Sequence, residues 1–517
     1  MNKFFVILLF FFLFSCGQKK NNLSIVNSSA MYQPPYFEDS LRAEKILKYK
    51  SVIDSIFKQS AHANHNPAIA YGIVADDQLI YANATGYSNL EKKIPADNKS
   101  RFRIASMTKS FTAMAILRLR DEGKLQLTDA AANYVPEMQA LKYPTKDGTP
   151  ITIFNLLTMS AGFPEDNPWG DRQLSDTDDE LADFVKNGIS FSTNPSSTFE
   201  YSNLGYALLG RIVSNVSGQH YQDYIIEKIL RPLGMNDCEF EYEKIPAKKL
   251  ALGYRWEDNQ WKPEPLLKDG SYASMGGMIC TIDDFAKYMS FLLSASVAHH
   301  ADEVGPVKRS SAREMQQPWN FRGLYAYARD RNGSICPRAA GYGFGLGWRN
   351  DCRGNVTISH SGGLPGFGSI HTLMPEYGIG VVAFSNLTYA GMGVPVSNVL
   401  DTLVTLAGLK KRVFPVSPIL KKTQEQLVKM LPNWNDEFDA MFAENFFPDH
   451  SKDHRKKETN ELLAKIGAIV SVGKMKPENL LRGSFDLVGE KGTIEVFFTL
   501  TPEANPKVQW LAFELKK

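Results

Sequence analysis

The chain reads Arg103-Ile104-Ala105-Ser106-Met107-Thr108-Lys109-Ser110-Phe111-Thr112 where an apolar helical pattern begins. Apolar residues keep helical spacing after Ser106, and Gly123 supplies a stop. Ser106 and Lys109 are three residues apart, so a helix places both side chains on one face. A serine hydroxyl is a weak nucleophile that needs a neighbouring base. Lys109 can be that base only if burial or nearby positive charge holds its amine neutral.

Two further motifs follow in order, Tyr201-Ser202-Asn203 and His360-Ser361-Gly362. Ser-x-x-Lys also recurs elsewhere, beginning at Ser55 and at Ser471, so the first motif alone is weak evidence. Neither of those serines heads a comparable apolar helix followed by the other two motifs. The ordered set therefore predicts a nucleophile, a proton-handling pair and a substrate-binding strand. The catalytic residues would be Ser106, Lys109 and Tyr201, and the substrate-binding residues would include Asn203, His360, Ser361 and Gly362.

Several of these residues also have a purely structural interpretation, and Lys109 could be a plain surface lysine. Ser106 could satisfy a backbone amide at the start of its helix, and Tyr201 could be a core tyrosine with a satisfied hydroxyl. Asn203 could be a turn residue, and His360 could pack in its strand without touching a substrate. The order of the three motifs favours the catalytic interpretation.

The nucleophile segment resembles that of the serine β-lactamase-related hydrolases, a group that includes class C β-lactamases, DD-peptidases, D-aminopeptidases and esterases. The likeness covers roughly residues 46–412 and stops before residues 413–517. Further matching segments are Leu156-Leu157-Thr158-Met159-Ser160-Ala161-Gly162, Tyr201-Ser202-Asn203-Leu204-Gly205-Tyr206, Leu208-Leu209-Gly210, Pro232-Leu233-Gly234-Met235, Gly276-Gly277, and His360-Ser361-Gly362-Gly363 with Pro365-Gly366.

The resemblance implies an α+β fold of the β-lactamase/DD-peptidase type. An antiparallel sheet flanked by helices would lie beside an all-α part, with the active site between them. Ser106 would form an acyl-enzyme, and Lys109 and Tyr201 would share the proton transfers, with the first acceptor left open. The backbone N–H groups of Ser106 and Gly363 would hold the oxyanion, which adds Gly363 to the binding residues. Asn203 would orient the substrate and water would release the acyl group, with no metal or organic cofactor.

The third motif, His360-Ser361-Gly362, indicates which substrates the protein would accept. β-Lactamases and DD-peptidases usually carry Lys where this chain has His360, and an unperturbed imidazole is mostly neutral at pH 7. We therefore expect weak turnover of penicillins and better turnover of neutral esters or amides. The predicted activity is therefore that of an esterase or of a D-amino-acid/peptidoglycan-type peptidase. The alternative is a true β-lactamase or a DD-carboxypeptidase. Two alternatives without enzymatic activity remain open. The protein could be a catalytically silent lipoprotein that binds peptidoglycan fragments, or a structural lipoprotein.

The N-terminus has the pattern of an export signal. Lys3 precedes an apolar run at Phe4–Phe14, which is too short to span a bilayer. Leu13-Phe14-Ser15-Cys16-Gly17 resembles a bacterial lipoprotein cleavage site, although Phe14 is larger than usual there. We expect removal of residues 1–15 and lipidation of Cys16, which would anchor the protein in the bacterial cell envelope. An ordinary cleaved secretory signal is the alternative.

Composition divides the rest of the chain. Residues 16–45 are polar and predict a tether, residues 46–412 the hydrolase domain, and residues 413–517 a small α+β domain with three or four meandering strands. A net charge of +2 over 517 residues lacks the strong excess of basic residues that is typical of nucleic-acid-binding proteins. The expected partners are a small-molecule or peptide substrate and the membrane, through the lipid anchor.

Strand signals lie at both ends of the hydrolase domain. Residues 68–74 and 79–84 predict a strand pair joined by Asp76-Asp77, and three further strands follow at 356–360, 369–373 and 380–384. Such spacing indicates one sheet built from distant segments. Residues 294–340 look like an insertion whose structure the sequence does not predict. Cys336 and Cys352 could form a bridge across a hairpin, with free thiols as the alternative.

Overall fold

The computed structural model describes residues 32–330, 332–432 and 434–516. The predicted signal peptide and Cys16 lie outside the described residues. The chain divides into two compact units, here called the N-terminal unit (Pro35–Val413) and the C-terminal unit, which contains Phe414–Lys517. Within the described ranges, no helix is long and apolar enough to cross a membrane.

The N-terminal unit begins before the predicted start at residue 46. Tyr36 and Val413 exchange backbone hydrogen bonds of 3.1 and 2.8 Å. Arg42 is buried and its guanidinium binds Asp76 at 3.0 Å. Residues 35–45 therefore belong to the folded unit rather than to the predicted tether.

Strands and helices of this unit alternate along the chain. Over its described residues the strands are β1 (Ala68–Ala75), β2 (Gln78–Asn89), β3 (Ile94–Pro95), β4 (Phe102–Arg103), β5 (Tyr254–Glu257), β6 (Gln260–Pro263), β7 (Ile279–Cys280), β8 (Asn320–Tyr325), β9 (Arg338–Tyr342), β10 (Gly347–Asn350), β11 (Val356–Leu364), β12 (Phe367–Met374) and β13 (Ile379–Ser385). The helices are α1 (Arg42–Leu47), α2 (Lys50–Ala63), α3 (Lys109–Asp121), α4 (Ile153–Leu157), α5 (Asp178–Lys186), α6 (Asn203–Ser217), α7 (Tyr221–Ile225), α8 (Ala273–Gly276), α9 (Ile282–Ala295), α10 (Arg309–Met315) and α11 (Gly393–Thr405).

One antiparallel sheet organises the unit. Its order is β3-β2-β1-β13-β12-β11-β10-β9-β8, nine strands in the part of the chain that the structure describes. β1 pairs with β13, which joins the two distant ends of the domain as predicted. Asp76 and Asp77 form the predicted turn with φ of 51° and 62°, as a two-residue type I′ hairpin requires. The predicted α+β class is confirmed.

The central strands are covered on both faces. On β13, Val382 and Phe384 pack into the large cluster around α3, α6 and α9, whereas Val381 and Ala383 pack toward α2 and α11. This alternation follows the two-residue period of a strand. A sheet buried on both faces is a rigid support, and its edge from β11 to β8 borders the predicted site.

The insertion at residues 294–340 contributes to that sheet. It contains α10, β8 and the start of β9, and β8 pairs with β9. The sheet is therefore wider than the sequence predicted, because the insertion supplies its outer strands.

The C-terminal unit is a separate α+β body with its own core. It contains α12 (Pro418–Met430), α13 (Phe446–Asp449), α14 (Lys452–Ile466), β14 (Ile469–Val472), β15 (Lys476–Asn479), β16 (Arg482–Gly489), β17 (Thr493–Leu500) and β18 (Val508–Lys516). Side chains of β17 alternate between buried and half-buried, as in an antiparallel sheet with one covered face. Five strands are described, against the three or four predicted, because the four-residue β14 and β15 both pair with β16.

Candidate active site

Ser106 lies in a short 3₁₀ turn, Ala105–Thr108, immediately before α3. Ala105 adopts φ of 48°, a left-handed conformation that costs energy for a residue with a side chain. The Ser369 hydroxyl on β12 donates to the Ile104 carbonyl at 2.7 Å and holds this turn against the sheet. Contacts of this kind fix the strained turn, so the nucleophile is presented from a rigid position.

Gly362 on β11 has a structural role in the same contact. A Cβ at this position would lie 2.3 Å from the Ile104 carbonyl oxygen. Only glycine allows the strand to approach the nucleophile turn this closely. Gly362, predicted as a substrate-binding residue, therefore positions the backbone beside Ser106.

Lys109 begins α3 and is fully buried behind Ser106. Its Nζ donates to Ser106 Oγ at 3.1 Å, to Asn203 Oδ1 at 2.7 Å and to the Met275 carbonyl at 2.8 Å. Burial lowers the pKa of the Lys109 amine to about 7, although the negative charges of Asp171 and Asp166 oppose the shift. A substantial neutral fraction at neutral pH is what a general base requires.

Tyr201 precedes α6, and its ring lies 4.9 Å from Lys109 Nζ. Burial raises the pKa of the Tyr201 phenol well above its usual value, and its interaction with Ser106 only partly opposes this. The phenol therefore stays protonated near neutral pH and can donate a proton but does not supply a phenolate.

The start of α6 is held by an acidic side chain that the sequence analysis did not identify. Asp166 accepts from the backbone N–H groups of Asn203 at 2.7 Å and Leu204 at 2.8 Å. The positive end of a helix favours such a carboxylate. Asn203 Nδ2 donates to Asn167 Oδ1 at 2.7 Å, so Asn203 connects Lys109 to the loop that carries Asp166.

His360 lies on β11 with a defined hydrogen-bond arrangement. Its Nδ1 is 2.6 Å from the Ser361 carbonyl and must donate, so Nε2 accepts from the Tyr342 hydroxyl at 3.1 Å. Burial, with help from the charge of Lys109, lowers the pKa of His360 to about 3. The imidazole is neutral at pH 7, and its centroid lies 6.3 Å from that of Tyr201.

A cleft of about 390 Å³ opens over these residues. Five predicted site residues line it: Ser106, Tyr201, His360, Ser361 and Gly363. Lys109 and Asn203 lie behind Ser106 and reach it through the hydrogen bonds given above. The pairing of β10 with β11 ends at Gly347 and Ser359, so the following residues of β11 border the cleft. The structure thus brings all the predicted catalytic and substrate-binding residues together.

Other lining residues were missed in the sequence. They are Glu165, Asn167, Asp171, Arg322, Tyr342, Trp348, Arg349 and Tyr389. Tyr342 and Trp348 lie in the glycine-rich stretch between Cys336 and Cys352, which could have marked this segment as part of the site. Arg322 comes from the insertion at residues 294–340, which carried no readable signal.

Two disulfides are present in the N-terminal unit. Cys336 and Cys352 are bridged with an S–S distance of 2.05 Å, across the β9–β10 hairpin. Cys238 and Cys280 form the other bridge, which the sequence did not predict. The first bridge fixes the hairpin that carries Tyr342 and Arg349 beside the cleft.

Comparison with known proteins shows to which family the chain belongs. The sequence profile of the family described as Beta-lactamase matches residues 53–405, which is most of the chain. The chain belongs to the beta-lactamase family. The predicted β-lactamase/DD-peptidase-like fold is thereby confirmed for the N-terminal unit.

Relatives of this beta-lactamase-family chain occur in distant organisms. Protein flp of Staphylococcus aureus (strain MW2) is 29% identical over 381 residues, covering 72% of this chain and 70% of that protein. Beta-lactamase-like protein 2 of Dictyostelium discoideum is 32% identical over 256 residues, covering 48% of this chain and 46% of its own length.

Solved structures show the same fold. The octameric penicillin-binding protein homologue from Pyrococcus abyssi has a TM-score of 0.58 and 23% identity, with 90% of this chain and 96% of that chain covered. The penicillin binding protein from Bacillus halodurans has a TM-score of 0.52 and 22% identity, with 68% and 99% covered.

Proposed function

We propose that this beta-lactamase-family protein is a serine hydrolase that cleaves an ester or amide through an acyl-enzyme at Ser106. The observation that carries the proposal is the distance of 3.1 Å between the buried Lys109 Nζ and Ser106 Oγ. A neutral Lys109 amine donates its two N–H groups to Asn203 Oδ1 and the Met275 carbonyl, so its lone pair can accept from the Ser106 hydroxyl. A nucleophile in contact with an activated base is the recurring signature of covalent catalysis. The cleft over Ser106 gives a substrate access to that hydroxyl.

The pKa values favour Lys109 as the first proton acceptor. Its pKa of about 7 provides neutral amine at physiological pH, whereas the pKa of Tyr201 is raised well above the usual phenol value. Neutral Lys109 would take the Ser106 proton as Oγ attacks the carbonyl. The protonated Tyr201 would assist the leaving group. The backbone N–H groups of Ser106 and Gly363 would stabilise the oxyanion, each contributing about 10²- to 10³-fold in rate.

We propose an ester or a D-amino-acid or peptidoglycan-type amide as the substrate. The neutral imidazole of His360 supplies no fixed charge for a carboxylate, which agrees with the sequence-based expectation. One observation favours DD-carboxypeptidase or β-lactamase activity as a second candidate. Arg322 and Arg349 are among the residues that line the cleft, and an arginine there would offer the positive charge that His360 lacks.

A hydrolysis panel on the full-length protein separates these activities. It comprises p-nitrophenyl esters, D-amino-acid amides, nitrocefin and peptides ending in D-Ala-D-Ala. We expect esters or D-amino-acid amides to give the highest kcat/KM. A ranking led by nitrocefin or the D-Ala-D-Ala peptides would instead support the second candidate. No turnover and no fluorophosphonate labelling would favour a silent binding protein.

We also propose that Cys16 is lipidated and anchors the protein in the bacterial cell envelope. The support is the sequence pattern Leu13-Phe14-Ser15-Cys16-Gly17. Cys16→Ala should block lipidation and leave the protein uncleaved or released in soluble form, as measured by membrane fractionation and palmitate labelling. A variant that is processed and fractionates like the wild type would contradict the anchor.

The two units should be separable. Ser106, Lys109, Tyr201 and His360 all lie in the N-terminal unit, which has two large hydrophobic clusters built from its own residues. A protein truncated after Val413 should therefore stay folded and retain most of its turnover of p-nitrophenyl acetate. Circular dichroism and ester kinetics measure the two properties. Aggregation, or inactivity in a well-folded form, would show that the C-terminal unit completes the core or the site.

A further inference from the structure

Asp171 is a cleft residue that the proposed chemistry at Ser106 leaves without a role. Only 2% of the residue is exposed, yet it lines the same cleft as Ser106. Its Oδ1 is buried and has no hydrogen-bond partner among the described residues. A buried carboxylate oxygen without a donor is unfavourable. A substrate group that donates a hydrogen bond would remove this penalty.

The position of Asp171 is fixed from two sides. It lies in the short turn Gly170–Arg172, and the Gly170 N–H donates to the Asp166 carbonyl at 2.7 Å. A Cβ at Gly170 would lie 2.8 Å from the Asn203 Cβ, so this turn packs directly against the start of α6. Asp171 therefore has a defined place relative to Asn203.

Tyr389 contacts both Asp171 and the strand residue Gly363. Its hydroxyl interacts with the Asp171 carboxyl, and its ring packs over Gly363, where a Cβ would lie 2.7 Å from Tyr389 Cδ1. Gly363 is the residue whose backbone N–H we assign to the oxyanion. Asp171 is thus connected through one side chain to the place where the scissile carbonyl would bind.

Asp171 is not a hydrogen-bond partner of Lys109. The hydrogen bonds of Lys109 Nζ join it to Ser106, Asn203 and the Met275 carbonyl. Burial raises the pKa of the Asp171 carboxyl to about 6, against the charge of Lys109 and the Tyr389 hydroxyl. At pH 7 the group is mostly anionic, and Glu165 adds a second carboxyl to the cleft lining. The free acceptor is therefore a negative charge beside the substrate position.

We propose that Asp171 binds a protonated amine of the substrate next to the scissile carbonyl. The inference rests on the proposed hydrolase function and narrows it to substrates with a free amino group. An ammonium group carries three N–H donors and a positive charge, so it matches both the free Oδ1 and the charge of the carboxylate. N-acylation of the same substrate removes the charge and should weaken binding.

Turnover gives the first test. The kcat/KM values of the full-length protein are compared for D- and L-alanine p-nitroanilides and for their N-acetyl forms. We expect the wild type to prefer a free amine by at least about tenfold, and Asp171→Asn to lose that preference mainly through KM. Because the ratio compares two substrates on one enzyme, a change in the folded fraction cancels. Asp269→Asn is the matched control, since Asp269 Oδ1 is also buried without a partner but lies outside the cleft.

Binding without turnover gives the second test. Calorimetry measures the affinity of alaninamide and N-acetylalaninamide for the full-length Ser106→Ala protein, with and without Asp171→Asn. Tighter binding of the free amine, lost with Asp171→Asn, supports the proposal even if no substrate is hydrolysed. Equal affinity for both amides in Ser106→Ala, or an equal effect of Asp171→Asn on both, overturns it. Failure of the hydrolase proposal appears separately, as absence of ester turnover and of fluorophosphonate labelling in the wild type.

Discussion

Ser106→Ala is expected to reduce kcat for the best ester by about 10⁶-fold, the order of magnitude found when a serine protease loses its nucleophile. The only group removed is the hydroxyl that Lys109 Nζ contacts at 3.1 Å. The fold should remain, because losing a single hydrogen bond costs about 0.5–1.5 kcal/mol. Ester kinetics, fluorophosphonate labelling and thermal unfolding together measure activity, acyl-enzyme formation and stability.

The chain supplies its own controls for this experiment. Ser55 and Ser471 each stand three residues before a lysine, as Ser106 does. Ser55 lies in α2 and Ser471 in β14, and neither lines the cleft. Ser55→Ala and Ser471→Ala should leave labelling and turnover at the wild-type level. Labelling that survives in Ser106→Ala would place the nucleophile elsewhere.

The sequence predicted those parts of the molecule that depend on local spacing. Ser106 and Lys109 are close because three residues along a helical turn bring side chains together. The β1–β2 hairpin follows from two largely apolar segments joined by Asp76-Asp77, and one sheet shared by both ends of the domain follows from strand signals in both places. The helical turn and the hairpin are each encoded in a few neighbouring residues, whereas the shared sheet is indicated by local strand signals in two distant segments.

Tertiary packing produced the features that the sequence did not predict. Asp171 has no local signature, and its burial beside the cleft depends on packing between its turn and α6. Arg322 lies on β8 and reaches the cleft because β8 pairs with β9 at the edge of the sheet. Predicting its position would have required knowing the register of this pairing, and the insertion carries no sequence pattern that gives it. The depressed pKa of His360 likewise comes from burial, which the motif His360-Ser361-Gly362 does not encode.

The order of proton transfer can be tested at Lys109. If neutral Lys109 accepts the Ser106 proton, the kcat/KM of the wild type should fall as the pH drops below about 7, because protonation removes the base. It should rise with pH and level off once the amine is neutral. Tyr201 should not add a second transition near neutral pH, since its pKa is raised well above the usual phenol value. A pH profile of ester hydrolysis measures this dependence.

Lys109→Met should lower kcat by about 10²- to 10⁴-fold, the usual contribution of a general base. Methionine keeps similar length but leaves Asn203 Oδ1 and the Met275 carbonyl without their donor. An unsatisfied buried acceptor costs about 1–3 kcal/mol, partly offset because no ammonium is buried, so thermal unfolding is measured alongside. Lys109→Arg is the matched control, because it keeps the positive charge but cannot accept a proton at these pH values. Both variants should show this loss of kcat if Lys109 is the base. Near-wild-type activity in Lys109→Arg would show that the charge is sufficient, and would transfer the role of base to Tyr201.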